Sequence, residues 1–329
     1  MTAVEILAAL PSLSALVVGD ICLDRWCTYD PATSEPSRET GIPRLGVVAT
    51  EVTPGAGGTV ASNLVALGTG RVAVLGVIGD DGFGAELRRA LQARGIDGGL
   101  MVTAPGWATF TYTKLINAHT GIEDQPRVDF INTRPLPQAV EWEVLKRLGP
   151  AVEDCQVILV ADQAETDQGG VVTAGVRKLL GELAGRYPEK VIWVDSRRRA
   201  ELFRKVIIKP NREEAEAACR RLFGAVDYQR LRRQLESRLL VVTQGADEVL
   251  VVEESGQTAV PARRVAHPVD ICGAGDSFSA GAALTLAVTG SALEAVHFGN
   301  LVASLTIMKK GTGTASPEVV QEAEEEGAA

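Results

Sequence analysis

The sequence has no surplus of positive charge: 33 Lys and Arg stand against 42 Asp and Glu, a net charge of −9. A general affinity for nucleic acid or anionic lipid needs a basic surface, so those function classes are excluded, while a local cationic pocket for a small anion is not. Cysteine is sparse and scattered, at positions 22, 27, 155, 219 and 272. No two form a C-x-x-C pair, which argues against a zinc site, and an odd number suits reduced thiols better than a disulfide framework. The first twenty residues lack a basic stretch and carry Glu5, unlike a signal peptide. No apolar run approaches the roughly 18 residues of a membrane span. The phosphate-binding fingerprints G-x-x-x-x-G-K-[ST] and G-x-G-x-x-G are both missing, and there is no G-x-S-x-G elbow. His119, His267 and His297 are isolated, with no metal-ligand spacing. A cytoplasmic location is expected.

What is present is an ordinary globular balance, 46% apolar and 23% charged residues over 329 positions, enough for a large core. Short β-branched runs at 16–19, 72–78, 157–160, 191–194, 206–208 and 239–243 read as buried strands. Helical patterns at 61–67, 84–93, 139–148, 171–183, 213–223 and 228–237 separate most of them. Such alternation predicts a mostly parallel sheet with helices on both faces, a three-layer α/β/α sandwich. Segments 248–253 and 258–262 read as an antiparallel edge, and 277–288 and 293–308 as two late helices. Two inserted segments, about 26–52 and 106–135, break the rhythm. The first is rich in Pro, Ser and Thr with a strand at its end, and the second alternates over 109–118. Together they are expected to form a small β lid over an active site. No linker divides the chain, so 1–329 reads as one domain ending in a frayed acidic tail, 318–329.

The stretch VDICGAGDSFSAG, residues 269–281, sets glycines and a carboxylate at the mouth of a helix. A helix N-terminus offers unpaired N–H groups and partial positive charge, and glycines let an anion approach it. The carboxylate of Asp276 would repel a resting anion. It makes sense as a base that takes a proton from a hydroxyl attacking phosphorus, with the 273–275 amides holding the charge on the transferred group. Asp276 as a mere helix cap is the competing reading. Asn211 and Glu214, three apart after a strand, make a capping box. In the functional reading Glu214 orders magnesium-bound water and Asn211 meets nucleotide phosphate. The glycine cluster 55–58 leads into a third helix.

In this order the motifs resemble the ribokinase, or PfkB, family of carbohydrate kinases along nearly the whole chain. Residues 19–24 (GDICLD) are similar to its first strand, 55–63 to its glycine signature, 210–214 (PNREE) to its N-x-x-E motif, and 270–276 (DICGAGD) to its C-terminal signature. The resemblance implies a ribokinase-like fold with a β lid, and ATP and Mg²⁺ as cofactors. It implies Asp276 as catalytic base with Gly273, Ala274 and Gly275 as anion hole. Substrate contacts fall on Asp24, Gly55, Gly57, Gly58, Thr59 and Asn63. Nucleotide contacts fall on Asn211, Thr243, Gly245 and Asn300, water-mediated Mg²⁺ on Glu214, and a monovalent cation, K⁺, on Asp270 beside the Gly311 loop. Lid-mediated homodimers are common in the family. The segments VVGDICLDRW, TYTKLI, RVDF and KKGTGTASP resemble the kinase domain that phosphorylates heptose 7-phosphate in ADP-heptose synthesis, which offers Lys114 and Arg127 to a sugar phosphate. Cys272 stands where the signature usually has Thr, Thr59 where it has Asn, and 162–166 (DQAET) where heptose kinases carry a DYxKG-like stretch. The expected activity is ATP-dependent phosphorylation of a sugar or sugar phosphate. Two alternatives stay open: a kinase for another sugar or a nucleoside, and a binding protein that has lost catalysis.

Overall fold

The computed structural model describes residues 1–166 and 168–328. Among them an eight-stranded sheet runs in the order Gly256–Pro261, Glu248–Glu253, Leu240–Thr243, Ile207–Ile208, Val191–Ser196, Val157–Asp162, Ser14–Gly19, Arg71–Leu75. The last six strands pair in parallel, and the first two form the expected antiparallel edge. Because successive strand residues face opposite sides, one strand feeds two cores. Val17, Leu159, Trp193 and Val241 face the helices Gly57–Ala66, Ala274–Thr289 and Ala292–Thr306. Leu16, Val18, Ile158, Val160, Ile192 and Val194 face Gln138–Glu153, Ala174–Arg186 and Arg212–Phe223. The three layers expected from the alternation are present.

Three boundaries differ from expectation for local reasons. The apolar run 72–78 is two strands, Arg71–Leu75 in the main sheet and Val77–Gly79 pairing elsewhere with Val102–Ala104. They part at Gly76, where a Cβ would lie 2.8 Å from both the Gly19 carbonyl oxygen and Ile21 Cγ1. The helix expected from 171 begins at Ala174, because the Thr173 hydroxyl caps the Val176 N–H. The end of the chain is a helix, Pro317–Ala328, rather than a frayed tail; Glu324 accepts the Ala3 N–H through both oxygens at 2.9 Å. Residue 329 lies outside the described residues.

The two inserted segments make a second, four-stranded sheet in the order Pro43–Ala56, Ile21–Pro36, Thr111–Asn117, Val128–Phe130. Segment 26–52 is far more regular than its Pro-rich composition suggests. Its hairpin absorbs irregularity in register shifts after Thr28 and Asp30. Asp24 sits opposite Thr53 on one side and Tyr112 on the other, so these three side chains share the face turned toward the main sheet.

Candidate active site

The carboxyl ends of the parallel strands and the inner face of the second sheet enclose a cleft of about 200 Å³. Ligands of open α/β sheets bind at these strand ends. Asp24, Thr59, Lys114, Arg127, Gly273 and Asp276, which the sequence places far apart, all line this one cleft.

Asp276 opens the Ala274–Thr289 helix. That helix is buried from Ser277 to Leu286 and clamped to its neighbour, where a Cβ on Gly299 would come within 3.0 Å of the Phe278 ring. Its N-terminus is thereby fixed at the cleft. Gly273 adopts φ +79°, the left-handed region open to glycine, and a side chain there would press on Thr59 and Thr312. The Gly273 and Gly275 N–H groups have no acceptor among the described residues. The Ala274 N–H bonds the Ile271 carbonyl at 3.2 Å, so two amides of the expected three are open. Burial pushes the Asp276 carboxyl up to about 7, and the nearby Asp195 adds to the rise while Lys209 and Arg197 oppose it. A carboxyl poised near neutrality suits a general base.

Across the cleft, burial raises Asp24 to about 6, with Lys114 and Arg127 pulling the other way. A Cβ on Gly55 would fall 2.5 Å from the Asp24 carboxylate, so this glycine makes room for the acid. Gly57 and Gly58 stand behind the wall, where side chains would strike Ile21 and Pro54. Asn63, expected against the substrate, is instead wholly buried and donates to the Thr59 carbonyl at 3.0 Å. Ala56, at the mouth of the Gly57–Ala66 helix, holds φ +50° and lines the cleft, a strained backbone at a site.

Lys114 and Arg127 reach the cleft already paired, with Glu123 at 3.7 Å and Asp129 at 2.6 Å. Asn211 and Glu214 form the expected capping box: the Asn211 side chain accepts the Glu214 N–H at 2.9 Å and Glu214 Oε2 accepts the Asn211 N–H at 2.8 Å. Thr243 bridges to Asn211, its N–H meeting the Pro210 carbonyl at 3.1 Å, and Gly245 turns with φ +62° in open space. Asn300 does not line the cleft. It donates to the Pro261 carbonyl at 3.3 Å beside a separate cavity with His297 and Arg263. Asp270 accepts the Cys272 and Gly311 N–H groups, joining the signature to the Gly311 loop.

Magnesium in phosphoryl transfer is held mostly by phosphate and water with one or two carboxylates. The donor set fits that mode: Glu214 keeps one oxygen outside its capping box, and its carboxyl is raised by burial first and by the nearby Asp195 second. Among the described residues no three acidic, His or Cys groups converge into an all-protein cage.

Several lining residues were missed. Arg197, on the loop that follows strand Val191–Ser196, lines the cleft and pairs with Glu165 at 2.5 Å. Gln163 and Glu165 are aimed there by a buried hub. Asp20 is wholly buried and accepts N–H groups from Gln163 and Ala164 at 2.8 Å and from Val171 at 2.9 Å. Its buried neighbour Asp162 is held by the Ser196 hydroxyl and by Arg199 at 2.6 Å. Nothing in the local sequence marks these as partners; the signal was only that two acids close consecutive apolar strands.

Comparison with known proteins agrees with the motifs. Residues 188–319 match the family model described as pfkB family carbohydrate kinase. The chain is 30% identical to the bifunctional protein HldE of Trichlorobacter lovleyi over 317 residues, covering 93% of this chain and 62% of that protein. It spans about 62% of the length of such curated relatives. Among solved structures it is similar to phosphofructokinase-2 from Escherichia coli in complex with potassium, with TM-score 0.69 and 18% identity over 96% of this chain and 100% of that one. It is similar also to Arabidopsis thaliana ribokinase complexed with ribose and ATP, with TM-score 0.67 and 16% identity over 95% and 99%. The fold is ribokinase-like, and a pfkB family domain is present.

Proposed function

We propose that this PfkB-type carbohydrate kinase uses ATP and Mg²⁺ to phosphorylate a hydroxyl of a sugar phosphate, with heptose 7-phosphate as the leading substrate. The observation that carries the reading is the convergence of Asp276, the open Gly273 amide at the helix mouth, Asp24 and the cations Lys114, Arg127 and Arg197 on one cleft. Asp24 accepts hydrogen bonds from sugar hydroxyls and orients one of them toward Asp276. Asp276 takes that hydroxyl proton as the oxygen attacks phosphorus, help worth about 10²–10⁴ in rate. The Gly273 and Gly275 amides stabilise the charge on the migrating group. Magnesium, when bound near Glu214, neutralises phosphate charge. Asn211, Thr243 and Gly245 receive the nucleotide. Lys114 and Arg127 exchange their present carboxylate partners for the phosphate already on the sugar. Monovalent cation binding falls to Asp270 and the Gly311 loop.

The four-stranded sheet serves as lid, and its exposed apolar residues, among them Ile42, Val48 and Ile122, support a homodimer through that sheet. No helix among the described residues is long and apolar enough to cross a membrane, and a cytoplasmic location is part of the proposal. The test is an acceptor panel: pentoses, hexoses, a heptose, nucleosides, and hexose and heptose phosphates, read by ADP release and by ³¹P NMR of the product. The expected result is the highest kcat/KM on the heptose phosphate. Preference for an unphosphorylated sugar or nucleoside would refute the substrate assignment. Binding without ADP release on every acceptor would make the chain a binding protein.

A further inference from the structure

Lys209 ends the segment after Ile207–Ile208, directly before the Asn211–Glu214 capping box. Its residue is 4% exposed, among the most buried charged groups of the protein. Nζ pairs with Asp195 at 2.6 Å, and a Cβ on Gly275 would lie 3.5 Å from that same nitrogen. Its charge is felt by Asp276, as its effect on that carboxyl shows.

This is an expensive place for an ammonium. Burial strips its water, and the N-terminus of the Ala274–Thr289 helix presents positive potential to it. One carboxylate, itself mostly buried, compensates. An ammonium has three donors, yet among the described residues Asp195 is the one partner that Nζ meets. Two donors are left over on this buried nitrogen, which lies against Gly275, whose amide also lacks an acceptor. Buried donors are normally satisfied. A buried ammonium with spare donors, set against the second residue of a helix whose first-turn amides are open, describes a place for a multiply charged anion.

We propose that Lys209 is a further catalytic residue, whose ammonium, steadied by Asp195, donates to the non-bridging oxygens of the migrating phosphoryl group together with the Gly273 and Gly275 amides. The inference rests on the kinase reading above. In the step, the sugar oxygen forms a bond to the γ-phosphorus while its proton passes to Asp276. The bond from that phosphorus to the β,γ-bridging oxygen breaks, and ADP leaves with the electron pair. Lys209 stays protonated throughout and moves no proton. A Cβ at Gly275 would stand in ordinary contact with the ammonium, at 3.5 Å, which puts Lys209 directly against the first turn of the helix.

The test compares Lys209→Met, Asp195→Asn and the double variant Lys209→Met/Asp195→Asn with the parent chain. The double variant guards against misfolding of the single one, in which Asp195 would be buried without its partner. Two readouts are used: kcat on the best acceptor, and the ratio of Kd values for ADP and a non-hydrolysable ATP analogue, which isolates the γ-phosphate. The inference expects a kcat loss of about 10²–10³ in both Lys209→Met chains, the size seen when one oxyanion donor is removed, with the KM for sugar within threefold. It expects the preference for the ATP analogue to disappear in those two chains and to survive in Asp195→Asn. A folded double variant that keeps both the turnover and the nucleotide preference of the parent would overturn the role of Lys209 and leave the kinase reading standing. A parent chain that binds neither nucleotide would overturn both.

Discussion

Replacing Gly55 by alanine is a small change with a sharp expected consequence. Gly55 lies in the strand beside Asp24, and its new Cβ would sit 2.5 Å from Cγ, Oδ1 and Oδ2 of that acid. Carbon contacts are comfortable at about 3.5–4.0 Å, so the carboxylate must retreat by about 1 Å or more. The obstacle is the end of a side chain rather than backbone, so Asp24 can swing away while the strands stay paired. A hydrogen bond to a charged group contributes about 1.5–3 kcal/mol, which converts to a loss of about 10–160-fold in kcat/KM for the sugar. The affinity for ATP should be unchanged, because Asn211 and Thr243 are bridged to one another outside this contact. The melting temperature should move by no more than about 2 °C. Steady-state kinetics on the best acceptor of the panel, with differential scanning fluorimetry alongside, reads all three. A kcat/KM within threefold of the parent would show that Asp24 does not grip the substrate. An equal loss in ATP affinity would show that Gly55 acts on the fold instead.

Other outcomes follow from the same geometry. Asp276 must be ionised to act as a base and is held at about 7, so kcat/KM should climb between pH 6 and 8 with its midpoint near 7; a flat profile would contradict this. The same shift is a stability cost: the folded carboxyl at about 7 exceeds its ordinary 3.8, so the contribution favours folding below pH 3.8 and is lost as pH rises to 7. Asp276→Asn should therefore raise the unfolding midpoint at pH 8 and hardly change it at pH 4. Arg199→Met strands the wholly buried Asp162 and should cost about 3–5 kcal/mol in chemical denaturation, whereas a loss under about 1 kcal/mol would show that Ser196 suffices. Val48→Lys, at a position 60% exposed on the second sheet, should turn a sedimenting dimer into a monomer, and a parent chain that sediments as a monomer would remove the lid interface.

The sheet and its helices were legible because burial on both faces imposes long β-branched runs, as in the strands Val157–Asp162 and Val191–Ser196, and helices announce themselves by period and caps. The Gly57–Ala66 helix was harder, since its first turn is glycine, and the strand Ile21–Pro36 harder still. That strand has two unlike faces, with Asp24 and Trp26 toward the cleft and Cys27 and Tyr29 buried, and its Pro31 and Pro36 fall where register shifts and the strand end tolerate them. At the site, residues in local motifs were legible: Asp276, Gly273, Asn211 and Glu214 declare a helix mouth or a cap. Residues whose role depends on distant partners were not. Arg197 looks like a solvated arginine until strand Val191–Ser196 is set beside Val157–Asp162, and Lys209 looks like a loop lysine until Asp195 and Gly275 are brought to it. Asn63 erred the other way, because a motif position does not say which way a helix turns its side chains.

The central claim is that Asp276 and the amides before it act on one transferring phosphoryl group. Single-turnover transfer from γ-³²P-labelled ATP to the best acceptor, compared between the parent chain and Asp276→Asn with ATP affinity measured in parallel, tests it most directly. The account predicts transfer slowed by about 10²–10⁴ with ATP affinity within threefold. Transfer at the parent rate in the variant would contradict it.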